Sequence, residues 1–212
     1  PDAVVTAPRA GEAEALIRRT GLQFPLIVKG STAGSTIGLT KVHDPGGLTE
    51  AVETALAVSP VALVEECAVG VEISVPLLGN GAPRVLPTPE IVSDNELFDY
   101  QAKYTPGMSH HVYPPRSEAD KVALAEQQAS ALYELLGCAG CGRADFIIPA
   151  VGPPVFLELN TLPGMTAMSI LPDAAAQVGI GFEELCETLV RLGLAEALTR
   201  SAAMLLEAAP RG

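Results

Sequence analysis

The stretch VFLELNTLPGMTAMS, residues 155–169, opens as an apolar strand and closes in a hydroxyl-rich turn. Glu158 and Asn160 stand two apart inside it, so in an extended chain both side chains leave the same face. Just upstream, RADFIIPA carries Arg143 and Asp145 at the same spacing, and VGPP between the two runs supplies a turn. If the hairpin folds symmetrically about Val151–Gly152, Asp145 lies opposite Glu158 and Arg143 opposite Asn160. The other face then collects Ala144, Phe146, Ile148, Val155, Leu157 and Leu159 as a core surface.

Directly opposed residues bring their Cβ atoms within about 4.5–5.5 Å. Two carboxylates at that separation repel unless one takes a proton or a cation sits between them. With the neutral oxygen of Asn160 they form a set of hard oxygen donors suited to Mg²⁺. Arg143 beside them can hold an anion in the same place. A surface hairpin in which Arg143 only neutralises Asp145 and Glu158 satisfies the same spacing, and a register slip of one residue would part the pair. The rest of the chain must decide.

The 212 residues suffice for one domain or two small lobes with a sizeable core. Apolar residues make up 48% and charged residues 18%, a globular composition. A formal net charge of −12, with no run of Lys or Arg, argues against nucleic acid or an anionic membrane as a partner. No apolar run approaches a membrane span and no signal-peptide pattern opens the sequence, which points to the cytoplasm. Cys138 and Cys141 form a lone C-x-x-C without a second pair, and read as ordinary reduced, packed cysteines. His110 and His111 lie in a Pro-rich stretch without a spaced partner and read as surface loop residues.

Along the chain, GEAEALIRRTG reads as a short helix closed by Gly21. FPLIVKG reads as a buried strand ending in Lys29, followed by a loop with Gly30, Gly34 and Gly38, a hairpin partner LTKV and the helix LTEAVETALAV. VALVEE and VEISVPLLG read as strands, with a turn at residues 79–81 and a long loop from about Ser93 to Pro115. Ser117 with Asp120 resembles a capping box for a helix to Leu136, whose Val122, Ala125, Ala129, Leu132 and Leu136 recur at helical spacing before Gly137. A last helix runs from about Phe182. The order is no regular βαβ repeat, and the class expected is α+β with two lobes.

KGSTAGSTIG fits neither the P-loop nor the dinucleotide fingerprint. Its small residues still let backbone N–H groups approach phosphate oxygens, and Lys29 adds a positive charge. A phosphate loop, a lysine and an Asp/Glu/Asn cluster together imply ATP. At this point the chain resembles the D-alanine–D-alanine ligases of the ATP-grasp superfamily. FPLIVKGSTAGSTIGLTKV is similar to their phosphate-loop motif and FDYQAKY to their mobile loop. GCAGCGRADF with FLELNTLPGMTAMS is similar to their active-site core. The motifs keep the family's order from about Phe24 to Leu194.

The resemblance implies an ATP-grasp fold in which a small lobe, residues 1–64, and a large lobe, residues 65–212, sandwich ATP with antiparallel sheets and helices. It implies that Lys29 contacts the ATP phosphates, that the link from Glu65 to Ala68 holds adenine through backbone groups, and that Glu72 takes the ribose hydroxyls. Asp145, Glu158 and Asn160 would bind two Mg²⁺ ions, with Mn²⁺ as a substitute. Arg143 and the Gly164 amide would stabilise the oxyanion of a tetrahedral intermediate. Ser169, with Lys103, would hold the carboxylate of the second D-alanine, Lys103 also serving the nucleotide. Ser35 and Tyr104 would link the phosphate loop to the mobile loop.

The implied activity is ATP-dependent joining of two D-alanines through an acyl phosphate, for peptidoglycan precursors, by a protein that is a homodimer at full length. The chain departs from the family in two ways. Gly30, Thr32 and Ala33 stand where Pro, Arg and Glu are usual, and the family's N-terminal domain precedes the position of Pro1, to be supplied in cis or in trans. The alternatives are a related ligase with another acceptor such as D-lactate, against which QAKY argues, a dipeptide ligase of secondary metabolism, or a nucleotide-binding module without turnover.

Overall fold

In the computed structural model, which describes residues 2–6, 13–34, 36–93 and 109–208, the chain divides into two units. One is built from the residues up to Ala68, the other from Val69–Val92 and from Ser109 onward. In the first unit, strands β1 (Asp2–Thr6), β2 (Leu26–Gly30), β3 (Thr40–Val42) and β4 (Val61–Glu66) pair antiparallel in the order β1-β4-β2-β3. Alternation along β2 buries Leu26 and Val28 and leaves Lys29 on the other side. Helix α1 (Ala13–Thr20) buries Ala13 and Ile17, one turn apart, and stops where Gly21 takes φ +75° and its N–H reaches the Ile17 carbonyl at 3.0 Å. Helix α2 (Leu48–Val58) buries Leu48, Ala51, Val52 and Ala55, a single stripe that closes the core over Leu26, Val28, Val42, Ala62 and Val64.

The glycine loop between β2 and β3 rests on Ser59. The buried Ser59 hydroxyl donates to the Val61 carbonyl at 2.9 Å and accepts from the Thr32 hydroxyl at 3.1 Å. A Cβ on Gly30 would lie 2.7 Å from the Ser59 Cβ, so glycine is required for the loop to come this close.

The second unit carries β5 (Val71–Leu78), β6 (Arg84–Val85), β7 (Glu90–Ser93), β8 (Ser109–Val112), β9 (Cys141–Ile148) and β10 (Val155–Asn160). They run in the order β10-β9-β5-β7-β8, with β6 paired to β5. One face presents Ile73, Val75, Leu77, Ala144, Phe146 and Ile148 to helix α3 (Ala119–Leu135), which contributes Ala125, Ala129 and Tyr133. On the opposite face Leu78 and Cys141 pack with helices α4 (Ile170–Gln177) and α5 (Phe182–Ala208) through Leu171, Ala174, Ala175 and Leu185. Burial raises the Cys141 thiol pKa above its ordinary value. Among the described residues, no helix is long and apolar enough to cross a membrane.

Several local expectations are corrected. The capping box does not form: Glu118 is the N-cap of α3 without a side-chain cap, and the buried Ser117 hydroxyl has no partner. At the other end of that helix Tyr133 enters the core, where its hydroxyl donates to the Gly79 carbonyl at 2.8 Å, and Leu136 is exposed. The residues read as a loop from Ser93 to Pro115 include β8, with residues 94–108 outside those described, so His111 lies on a strand. Helix α4 follows the quoted active-site stretch and was not expected.

Glu90, buried on β7, receives the Arg116 backbone N–H at 2.8 Å and its guanidinium Nε at 3.1 Å. Those hydrogen bonds hold its carboxyl below the ordinary 4.5, against the opposing effect of burial. A lowered folded pKa stabilises the fold above the ordinary value and loses that contribution as pH falls through the folded one. Glu90→Gln is therefore expected to flatten the loss of stability below pH 4.5. Urea midpoints measured across that range check it, and parallel acid limbs for the two proteins would contradict the assignment.

Candidate active site

The site is set by strand register. Ser74 and Pro76 on β5 face Asp145 and Arg143 on β9, which in turn face Glu158 and Asn160 on β10. Alternation then gathers Glu72, Ser74, Arg143, Asp145, Glu158 and Asn160 on one face of the sheet, beyond the part packed on α4 and α5. The expected pairs Asp145–Glu158 and Arg143–Asn160 are both present. Nearer the turn the expectation fails. Val155 pairs with Ile147 and Phe156 with Phe146, and an irregularity at Leu157 takes up one residue before Glu158. It is Phe156 that meets Phe146 edge-on, ring centroids 5.5 Å apart, although Val155, Phe156 and Leu157 are all exposed.

Arg143 lies between the opposed carboxylates. Its Nη2 donates to Asp145 Oδ2 at 2.8 Å and stands 3.7 Å from Glu158 Oε1, and its Nε donates to Asp145 Oδ1 at 2.9 Å. The buried Ser74 donates its hydroxyl to Asp145 Oδ1 from the neighbouring strand. Asp145 is 8% exposed, whereas the Glu158 side chain is 61% exposed. Burial works against the charge of Arg143, but Asp145, Glu158 and Glu72 together more than offset it, so the guanidinium pKa lies above its ordinary value.

Among the described residues no cluster of three His, Cys, Asp or Glu side chains could hold a metal; the third oxygen donor here is the Asn160 amide, which also accepts the Leu162 N–H at 3.0 Å. Two carboxylates and an amide oxygen without a soft ligand fit a hard divalent cation such as Mg²⁺. Their mutual repulsion is relieved by the guanidinium of Arg143.

Beyond β10, Gly164 lies against Ser169, where a Cβ would come within 2.7 Å of the Ser169 hydroxyl. That hydroxyl accepts the Thr166 N–H at 3.0 Å and so turns away from capping α4. One turn into α4, Asp173 binds His111 Nδ1 at 2.6 Å and receives the Tyr113 hydroxyl at 3.1 Å. This cluster ties β8 to the helix that follows Ser169. Sequence reasoning missed it, along with Ser74. The one legible signal was that Ser74 follows Glu72 at the two-residue spacing of a shared face.

In the first unit, Lys29 is paired with Glu65 on the adjacent strand at 2.5 Å. Glu65 lies inside β4, between β1 and β2, and Ala68 follows the strand's end. Ser35, Lys103 and Tyr104 lie outside the described residues.

An antiparallel unit with a lysine beside a glycine loop, followed by a helix-covered sheet with an Arg/Asp/Glu/Asn face, defines an ATP-grasp fold. The chain belongs to the D-alanine–D-alanine ligase family: the model described as D-ala D-ala ligase C-terminus matches residues 8–191. A D-alanine–D-alanine ligase from Pelotomaculum thermopropionicum is 46% identical over 181 residues, covering 85% of this chain and 56% of the relative. One from Desulforamulus reducens is 48% identical over 170 residues, covering 80% and 54%. The chain thus spans little more than half the length of the curated relatives it matches. Among solved structures, a D-Ala:D-Ser ligase from Enterococcus faecalis superposes with a TM-score of 0.78 at 31% identity, over 91% of this chain and 56% of the other. A Bacillus anthracis D-alanine–D-alanine ligase complexed with ATP gives a TM-score of 0.76 at 24% identity, over 94% and 62%.

Removing one member of a buried ion pair leaves the other uncompensated. Arg143→Met is expected to destabilise the second unit by about 3 kcal/mol, and adding Asp145→Asn to recover most of that loss. Urea unfolding of the four proteins of the cycle measures it. Additive losses would mean that the two side chains are not coupled.

Proposed function

We propose that the chain is the ATP- and metal-binding portion of a D-alanine–D-alanine ligase, an ATP-dependent, ADP-forming carboxylate–amine ligase acting in the cytoplasm on peptidoglycan precursors. The observation that carries the reading is the opposition of Asp145 and Glu158 with Arg143 between them and Asn160 beside them. The family match and the identity to curated ligases support it. The unit ending at Ala68 and the unit that follows serve as the two ATP-binding lobes, and the full-length protein is a homodimer.

In the reaction so assigned, the γ-phosphoryl group of ATP passes to the carboxylate of one D-alanine, and the amine of a second displaces phosphate. Lys29 leaves Glu65 to take a phosphate oxygen. Glu65 to Ala68 line the adenine, and Glu72 accepts from the ribose. Asp145, Glu158 and Asn160 hold Mg²⁺, which when bound neutralises charge on the phosphoryl oxygens. Arg143 and the Gly164 amide face the oxyanion that forms as the amine attacks. Ser169 and Lys103 fix the acceptor carboxylate, while Ser35 and Tyr104 join the loops that exclude water from the acyl phosphate.

Product analysis tests the reading. The chain, extended by the N-terminal part of a D-alanine–D-alanine ligase, is supplied with ATP, Mg²⁺ and D-alanine, D-serine, D-lactate or L-amino acids. D-alanyl-D-alanine is the expected main product, and another product would reassign the acceptor. In the same protein Glu158→Gln is expected to weaken Mg²⁺-dependent ATP binding by at least about tenfold without unfolding the chain. Asp145→Asn is expected to weaken it as much while lowering stability, because it leaves the nearly buried Arg143 without its partner. Unchanged calorimetric affinities in both variants would refute the metal assignment.

A further inference from the structure

Asp145 has partners of two kinds, one on its own strand and one on the neighbouring strand β5. Arg143 grips both carboxylate oxygens, Nε at 2.9 and 3.2 Å and Nη2 at 2.8 Å, while its Nη2 stands 3.7 Å from Glu158 on β10. Ser74 reaches Oδ1 from β5, on the other side of β9. Ser74 is 1% exposed, faces Asp145 in register, and its own N–H is bound to the Pro89 carbonyl at 3.1 Å.

A cation held by Asp145 and Glu158 would compete with the guanidinium, which reaches toward both carboxylates. Ser74 stands on β5, across β9 from Glu158. We propose that Ser74 is a positioning residue for the metal-binding carboxylate: its hydroxyl holds Asp145 in one orientation while Arg143 and the cation exchange places. This rests on the metal–nucleotide reading given above. The exchange frees Arg143 for an anion at the moment the cation arrives, so one event prepares two parts of the site. Without the hydroxyl, Oδ1 loses its fixed donor in a buried position, and the carboxylate is left to settle on Arg143, which competes with the cation.

The test uses the 212-residue chain, Mn²⁺ as the probe and an imido analogue of ATP. Mn²⁺ binding is read by electron paramagnetic resonance for the unsubstituted chain, Ser74→Ala, Ser74→Cys and Ser74→Thr. Nucleotide affinity in chelator and the thermal midpoint are measured alongside. Outer partners of metal ligands contribute about 10–100-fold to metal affinity, so Ser74→Ala and Ser74→Cys are expected to bind Mn²⁺ about tenfold more weakly and Ser74→Thr within about twofold of the original. Metal-free nucleotide affinity stays unchanged, as a purely structural role for Ser74 would not allow. Should Ser74→Ala not fold, Ser74→Cys, close in size and a weak donor, carries the comparison. Equal Mn²⁺ binding in the Ala and Cys variants, or a loss in Thr as large as in Ala, overturns the inference alone. No Mn²⁺ binding by the unsubstituted chain overturns the metal–nucleotide reading and the inference with it.

Discussion

Two carboxylates fixed opposite each other on neighbouring strands cannot stay there unaccompanied, and in this chain the guanidinium of Arg143 keeps them company. The constraint comes from the backbone. The ladder between β9 and β10 holds the backbones of Asp145 and Glu158 opposite each other, so their repulsion has to be relieved by a proton, by solvent or by a positive charge, and here Arg143 supplies the charge. The side chain that meets it comes from two residues along the same strand, where alternation returns it to the same face. The charge balance of the site is therefore a consequence of register, and shifting β10 by one residue would dissolve it.

The same sheet serves as core and as site because each strand has two faces. On β5 the odd-numbered Ile73, Val75 and Leu77 go to α3, and the even-numbered Glu72 and Ser74 go to the polar cluster. On β9 the assignment is Ala144, Phe146 and Ile148 against Arg143 and Asp145. A rigid apolar layer lies directly behind the polar groups, so their spacing follows from packing that they take no part in. The family likeness extends over most of the chain, yet what it places here is a pattern of alternation that can be followed residue by residue.

Alternation is also what made much of this legible in advance. The pairs Asp145–Glu158 and Arg143–Asn160 follow from a turn and a two-residue period, and both were readable in the sequence. The irregularity at Leu157 was not, because Val155, Phe156 and Leu157 are all apolar and no polar residue marks which of them changes face. Ser74 was hidden for another reason. It meets Asp145 across 71 residues of sequence, and the register of a pairing that distant has no local signature. His111 and Asp173, 62 residues apart, were missed for the same cause. The capping box at Ser117 failed because Glu118, not Ser117, occupies the N-cap, a boundary difference of one residue that helix signals rarely resolve.

If this chain binds ATP as proposed, its net charge of −12 works against the approach of a polyphosphate. At physiological salt, charges farther away than about 8 Å are largely screened, so what the ligand meets is local. Two of the cationic side chains assigned to that ligand are paired with acids, Lys29 with Glu65 in the first unit and Arg143 with Asp145 in the second. The two pairs differ in burial. Lys29 and Glu65 are about a quarter exposed, so a phosphate can draw the ammonium away against a weakly held partner. Arg143 and Asp145 are nearly buried, and separating them leaves a carboxylate that only another cation can satisfy. If the proposed metal and nucleotide roles hold, release of the arginine would be tied to arrival of the metal, whereas release of the lysine would not. That difference would order the site: the lysine could meet nucleotide alone, and the arginine would become available only with the metal in place.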